Sequence, residues 1–125
     1  MKPDLYTPAD LRKNTPPPLS DYGWRMLAEG DSWFSITATG RFSSNLLAEL
    51  DLARSTAIVN CAAPGATLQR MVDRRADATC ADLLRGRRAY GWDAVLLSAG
   101  GNDLIAAAQT PPTDAAGAPT PLSLR

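Results

Sequence analysis

Short apolar runs that suit buried β-strands alternate along this chain with runs whose apolar residues recur at helical spacing. The strand-like runs are residues 24–29 (WRMLAE), 56–60 (TAIVN) and 93–98 (DAVLLS). Helix-like runs follow at 42–53, 68–90 (interrupted near Gly86) and 104–109. Strands that alternate with helices favour right-handed crossovers and a parallel sheet covered on both faces. The sequence therefore predicts an α/β fold in three layers, α/β/α.

We expect a flavodoxin-like parallel sheet in which the predicted strands take the order 2-1-3 and later strands are missing. The third predicted strand contains Val95-Leu96-Leu97, which is apolar on both faces and suits a central position better than an edge. The 125 residues allow one domain at most. We predict a proline-rich leader over 1–22, a partial domain over 23–109, and a loop rich in Pro, Thr and Ala over 110–125.

Charge and composition exclude several classes of protein. The net charge is zero and the pI about 6.2, so no nucleic-acid partner is expected. No apolar stretch is long enough to span a bilayer and the N-terminus does not resemble a signal peptide, so we expect a cytoplasmic chain without a membrane partner. Two cysteines, Cys61 and Cys80, are too few for a disulfide scaffold, and we expect them to be unpaired.

The absence of histidine is the most restrictive feature of the composition. It excludes zinc and haem sites that need an imidazole ligand. It also removes the usual general base of hydrolases from this chain.

Polar and glycine residues follow each predicted strand at its carboxyl end, where parallel sheets collect functional groups. Gly30-Asp31-Ser32 follows the first strand, Gly65 lies in the turn after the second, and Gly100-Gly101-Asn102-Asp103 follows the third. In this order and placement, these short motifs resemble three conserved sequence blocks of the SGNH (GDSL-type) hydrolases. The resemblance covers about residues 24–109, and the family's last block, D-x-x-H, has no counterpart.

The resemblance implies that Ser32 is the nucleophile of an ester hydrolase that works through an acyl-enzyme. The backbone N–H groups of Ser32 and Gly65 and the Asn102 amide would form the oxyanion hole. Asp31 and Asp103 would support the site, Asp31 by bonding backbone N–H groups of its own turn and Asp103 by capping a helix. The substrate would be a small ester, with no cofactor and no metal.

The missing general base leaves the function open at this point. A serine hydroxyl is a weak nucleophile without an adjacent base, so the chain alone should have little activity. The first interpretation is the N-terminal part of an esterase, to which a missing C-terminal segment or a partner chain supplies the histidine. The second is a catalytically dead or half-domain interaction protein. The third is a Mg²⁺-dependent phosphohydrolase in which Asp31 and Asp103 hold the ion.

Overall fold

A four-stranded parallel sheet forms the centre of the computed structural model, which describes residues 1–35, 45–73, 75, 77–109 and 116–117. The strands are β1 (Asp4–Tyr6), β2 (Trp24–Gly30), β3 (Thr56–Asn60) and β4 (Ala94–Ser98). Their order is β1-β3-β2-β4, and every neighbouring pair is parallel. The α/β class is confirmed, and the three predicted strands keep the predicted order beside an additional strand, β1.

The additional strand changes the interpretation of the N-terminal segment. Residues 1–22 were predicted to be an extended leader, yet β1 pairs with β3 and Leu19 is fully buried in the core. Short 3-10 helices at Asp10–Arg12 and Leu19–Asp21 connect β1 to β2. The segment therefore belongs to the sheet domain, and its prolines lie outside its strand and its two 3-10 helices.

The helices are shorter than the apolar spacing predicted: α1 (Leu46–Glu49), α2 (Leu68–Val72), α3 (Ala78–Arg85) and α4 (Gly101–Gln109). The prediction of one helix over 42–53 is wrong beyond Leu50, whose ψ of 139° leaves the helical region. The side chain of Asn45 accepts a hydrogen bond from the Ala48 N–H and so caps the start of α1. Residues 42–44, at the predicted start of this helix, lie outside the described residues.

The predicted long helix over 68–90 is divided into α2 and α3. Asp73 is extended after α2, and the Asp77 carboxylate then accepts a hydrogen bond from the Cys80 N–H to start α3. An Asp side chain that bonds nearby backbone in this way favours a cap over a helix interior. α3 ends at Gly86, as predicted. α4 begins three residues before its predicted start, directly after Gly100, whose φ of 99° suits glycine.

Apolar side chains cover both faces of the sheet at its central strands, β2 and β3, and confirm the layered arrangement. One face packs α3 and the N-terminal segment over the sheet through Leu19, Leu27, Ala57, Val59 and Leu83. The other packs α1 and the turn after β2 through Met26, Ala28, Phe34, Leu47 and Ile58. Successive residues of β2 and β3 point alternately into the two clusters, as expected of strands that are buried on both faces.

The C-terminal region is described only in part. The predicted loop over 110–125 lies outside the described residues except for Ala116 and Gly117. Within the described ranges, no helix has the length and apolar character needed to cross a membrane.

Candidate active site

The three loops that follow β2, β3 and β4 are joined to one another by hydrogen bonds. The loop after β2 meets the loop after β3 where the Ala63 N–H donates to the Gly30 carbonyl, at 3.0 Å. It meets the end of β4 where the Asp31 N–H donates to the Ser98 carbonyl, at 3.1 Å. The three loops therefore meet at the carboxyl end of the sheet, where parallel strands collect functional groups.

Gly30 allows β2 and β4 to approach closely at the carboxyl end of the sheet. A Cβ at this position would lie 2.8 Å from the Ser98 carbonyl oxygen and 3.1 Å from the Phe34 ring. No side chain fits at that distance from backbone, so the first glycine of the Gly-Asp-Ser word is required by packing.

Ser32 lies in a tight helical turn at the surface. The Asp31 carbonyl accepts hydrogen bonds from the N–H groups of Phe34 (3.1 Å) and Ser35 (2.9 Å), which closes the turn. Within it Ser32 is exposed, whereas Asp31 and Phe34 are buried. The turn therefore presents the serine to solvent and anchors its neighbours in the protein.

Asp31 is a buried carboxylate that binds its own turn and the neighbouring strand. Its Oδ1 accepts hydrogen bonds from the Ser98 hydroxyl at 2.7 Å and from the Trp33 N–H at 3.1 Å. Only 2% of the residue is exposed. This arrangement holds the Ser32 turn against β4, and it agrees with the expectation that Asp31 bonds local backbone.

Two asparagines fix the far end of the same turn, and neither was predicted as part of the site. The Phe34 carbonyl accepts from the Asn60 side chain at 2.7 Å and from the Asn45 side chain at 2.9 Å. A polar residue closing the apolar strand β3 was the available signal for Asn60. No comparable signal marked Asn45, because its role depends on where α1 packs.

The loops after β3 and β4 are held together by the Asn102-Asp103 pair. The Asn102 amide donates to the Ala66 carbonyl at 3.0 Å, and both Asp103 oxygens accept from the Leu68 N–H at 3.1 and 3.0 Å. Asp103 therefore caps a helix, as the sequence allowed, but the helix is α2 and not α4. An amide nitrogen has two N–H donors, and the Ala66 bond uses one of them.

Gly65 stands at the exposed tip of the loop after β3. Its φ of 72° is left-handed, and a Cβ there would meet nothing within 4 Å. The glycine is therefore required by backbone conformation and leaves open space beside its peptide. Ser32, Gly65 and Asn102 each stand on a different one of the three joined loops.

A shallow apolar depression borders the Ser32 turn. Its lining comes from the turn itself, α1 and the end of β4: Trp33, Phe34, Leu46, Leu97, Ser98 and Ala99. Trp33 is exposed and Phe34 is buried in the core, so of the two only Trp33 offers a large surface to a ligand. A larger groove of about 1050 Å³ runs along α3 and includes Arg12, Arg87 and Tyr90, away from the three loops.

The two aspartates proposed as Mg²⁺ ligands are engaged by protein donors. Asp31 binds Ser98 and Trp33, and Asp103 uses both oxygens on Leu68. Within the described part of the chain, the one group of three side chains close enough to share a metal ion is Glu29, Cys61 and Cys80. That group contains neither aspartate.

Comparisons with known proteins returned nothing for this chain: no family model matches it, and no curated protein or solved structure shows significant similarity.

Proposed function

We propose that this chain carries the nucleophile and the oxyanion hole of a serine ester hydrolase of the SGNH type. The observation that supports this most is the joining of the three motif loops, with Ser32 exposed on the first of them. In the proposed reaction, the Ser32 hydroxyl attacks the ester carbonyl, and the alcohol leaves as an acyl-serine forms. Water then releases the acid and restores the serine.

The oxyanion would be held by donors from all three loops. The N–H groups of Ser32 and Gly65 and the second N–H of the Asn102 amide supply them. Each fixed donor of this kind typically lowers the barrier by about 3–4 kcal/mol. The Ala66 bond orients the Asn102 amide before substrate arrives, and Gly65 lets the ester approach the backbone. The depression beside Trp33 would receive the acyl group.

The general base would come from a further segment or a partner chain that pairs with β4. The sequence has no histidine. β4 forms one edge of the sheet, and its Val95 and Leu97 side chains are exposed to 43% and 70%. An apolar edge strand is a ready template for another strand. A chain segment covering it would also stand close to the Ser98 end of β4 and thus to the Ser32 turn.

Imidazole rescue tests the proposed role of Ser32. With p-nitrophenyl acetate the chain alone should react slowly, because a positioned base contributes about 10²–10⁴-fold. Added imidazole should accelerate the reaction beyond its effect in buffer, and mass spectrometry should locate an acetyl group on Ser32. Ser32→Ala should lose both effects, whereas the matched control Ser20→Ala, another exposed serine, should keep them.

Equal imidazole responses in wild type and Ser32→Ala would contradict the proposal. Full turnover without imidazole would instead contradict the inference that the base is missing.

An interaction protein is the second candidate, and the exposed edge of β4 favours it. In that case β4 would pair with another chain and Ser32 would have no catalytic task. Sedimentation of the protein from its natural source should then show a stable complex, and Leu97→Lys should disrupt it. The protein should also show no imidazole-dependent acylation. A monomer that is acylated at Ser32 would exclude this candidate.

A further inference from the structure

A second group of reactive side chains lies on the sheet face opposite the Phe34 cluster. Glu29 stands near the end of β2, Cys61 directly follows β3, and Cys80 is in the first turn of α3. Both cysteines pack against the core cluster that contains Leu27. One ligand atom from each of Glu29, Cys61 and Cys80 lies within 4.8 Å of the other two. None of these residues has a part in the proposed ester hydrolysis.

Glu29 is a buried acid with one oxygen unpaired. The residue is only 4% exposed, and its Oε1 accepts from the Gly30 N–H at 2.8 Å. Its Oε2 is buried and has no hydrogen-bond partner among the described residues. Leaving a carboxylate oxygen unpaired in the interior is costly, so such an atom indicates a missing partner.

The groups around Glu29 are themselves acids. Burial, followed by the nearby Asp77 carboxyl, raises the pKa of Glu29 to about 7. The contact with Cys61, burial and the negative charge of Glu29 raise the pKa of the Cys80 thiol. In the part of the chain that the structure describes, no ion pair includes Glu29 or Asp77. The cluster thus collects potential negative charges, and no ion pair among the described residues balances those of Glu29 and Asp77.

We propose that Glu29, Cys61 and Cys80 bind a zinc ion. Two thiolates are soft ligands that select Zn²⁺ over Mg²⁺ or Ca²⁺, and a carboxylate oxygen is a common third zinc ligand. With Zn–S bonds of about 2.3 Å, tetrahedral ligand atoms stand about 3.5–3.8 Å apart, so small side-chain rotations close the site. The thiols and the carboxyl release their protons to solvent as the ion binds.

Asp77 would orient the site from outside it. Its carboxylate lies beside Glu29 and accepts from the Cys80 N–H at the start of α3. Such an outer contact fixes the ligand and makes it a better donor. Both thiols are only partly buried, so an ion can reach them.

The zinc ion would join three parts of the fold: the end of β2, the start of the loop that carries Gly65, and the first turn of α3. The inference does not depend on the proposed ester hydrolysis. It departs from the expectation, made from the sequence, that the chain binds no metal. The sequence could not indicate this site, because the three ligands are far apart in the chain and match no known ligand spacing.

Titration of the reduced, metal-free chain with Zn²⁺ and Co²⁺ alone tests the site. We expect about one equivalent of Zn²⁺ to bind in competition with a chromophoric chelator. Co²⁺ should give thiolate-to-metal charge-transfer absorption in the near ultraviolet and the intense visible bands of tetrahedral coordination. Mg²⁺ should give no change. A reduced, folded chain without the cobalt–thiolate band would overturn the proposal.

Variants assign the ligands. Cys61→Ser, Cys80→Ser and Glu29→Gln should each weaken Zn²⁺ by at least about 100-fold, and Asp77→Asn, which keeps a helix-capping side chain, by about 10- to 100-fold. Glu49→Gln, a change of an exposed glutamate, is the matched control and should bind Zn²⁺ like wild type. Far-ultraviolet circular dichroism of the metal-free variants establishes that they fold. Zn²⁺ affinity that is unchanged in Glu29→Gln, or in the double variant that combines Cys61→Ser with Cys80→Ser, would also overturn the site.

Discussion

β2 and β4 are neighbouring strands that both contain an apolar run, but the protein surrounds them very differently. The residues of β2 from Met26 to Gly30 are buried, with helices or turns over both faces. Within the described ranges β4 pairs with β2 on one side only, and Val95 and Leu97 are exposed, as are Leu104 and Ile105 of α4. An apolar run therefore predicts a strand, but it does not establish what covers that strand in the folded protein.

The same change, Leu to Ala, should have very different effects on stability in the two strands. Leu27→Ala removes a fully buried side chain from β2 and should lower the free energy of unfolding by about 2–5 kcal/mol. Leu97→Ala removes an exposed side chain from β4 and should change it by less than about 0.5 kcal/mol. Urea unfolding followed by circular dichroism measures both. A cost at Leu97 similar to that at Leu27 would show that the β4 face is covered in solution.

The buried acid of β2 gives the next effect, and it depends on pH. The folded-state pKa of Glu29, about 7, exceeds its ordinary value of 4.5, so the folded chain binds the extra proton between these values. In the metal-free chain the contribution of Glu29 to the free energy of unfolding is therefore largest below pH 4.5. It is lost as the pH rises through about 7, by a few kcal/mol in total.

Glu29→Gln should remove this pH dependence and stabilise the metal-free chain above pH 7, since the amide can donate to Asp77. Urea unfolding with a chelator present, from pH 5 to pH 8, measures the difference from wild type. Parallel pH profiles of the two proteins would show that Glu29 is not held protonated by burial.

A glycine pair tests how tightly β2 and β4 are joined. Gly30→Ala places a Cβ against Ser98 and should destabilise the fold by about 1–3 kcal/mol. Gly91→Ala, just before β4, meets nothing within 4 Å and should be neutral or slightly stabilising. Thermal unfolding of the two variants distinguishes them. Equal stability would mean that the strands separate near Ser98 at little cost.

Removal of the contact between Asp103 and the Leu68 N–H should have the smallest of these effects on stability. Asp103→Ala removes the acceptor for the Leu68 N–H and should cost about 1 kcal/mol, whereas Asp103→Asn retains an acceptor and should cost less. Hydrogen exchange at Leu68 should accelerate more in the alanine variant than in the asparagine variant. Identical exchange in both would show that this contact does not hold the loop.

The sequence predicted the parts of the fold that local patterns determine. Three strands, the parallel arrangement and the meeting of the motif loops follow from apolar runs and from the words that end them. β1 could not be found, because a three-residue strand among prolines carries almost no local pattern. The predicted helix over 42–53 was too long, because apolar residues continue at helical spacing past Leu50 whereas the backbone leaves the helical region there.

The supporting contacts of the candidate site depended on tertiary structure. Ser98, Asn45 and Asn60 hold the Ser32 turn through residues distant in the chain, and no motif marks them. The Glu29–Cys61–Cys80 cluster escaped prediction for the same reason. The roles of Ser32, Gly65 and Asn102 stay predictions until the acylation experiment is done.

The all-parallel pairing of the sheet has a consequence for how the protein folds. β2 pairs with β3 through Trp24 and Thr56, and with β4 through Met26 and Ala94, so each pairing must close a long loop. Non-local pairing of this kind slows folding, because entropy is lost before contacts compensate for it. During synthesis, one edge of β2 also stays unpaired until β4 leaves the ribosome. For that interval β2, which is covered on both faces in the folded protein, has one unpaired edge. We expect the protection of that edge to depend on how quickly translation proceeds from β3 to β4.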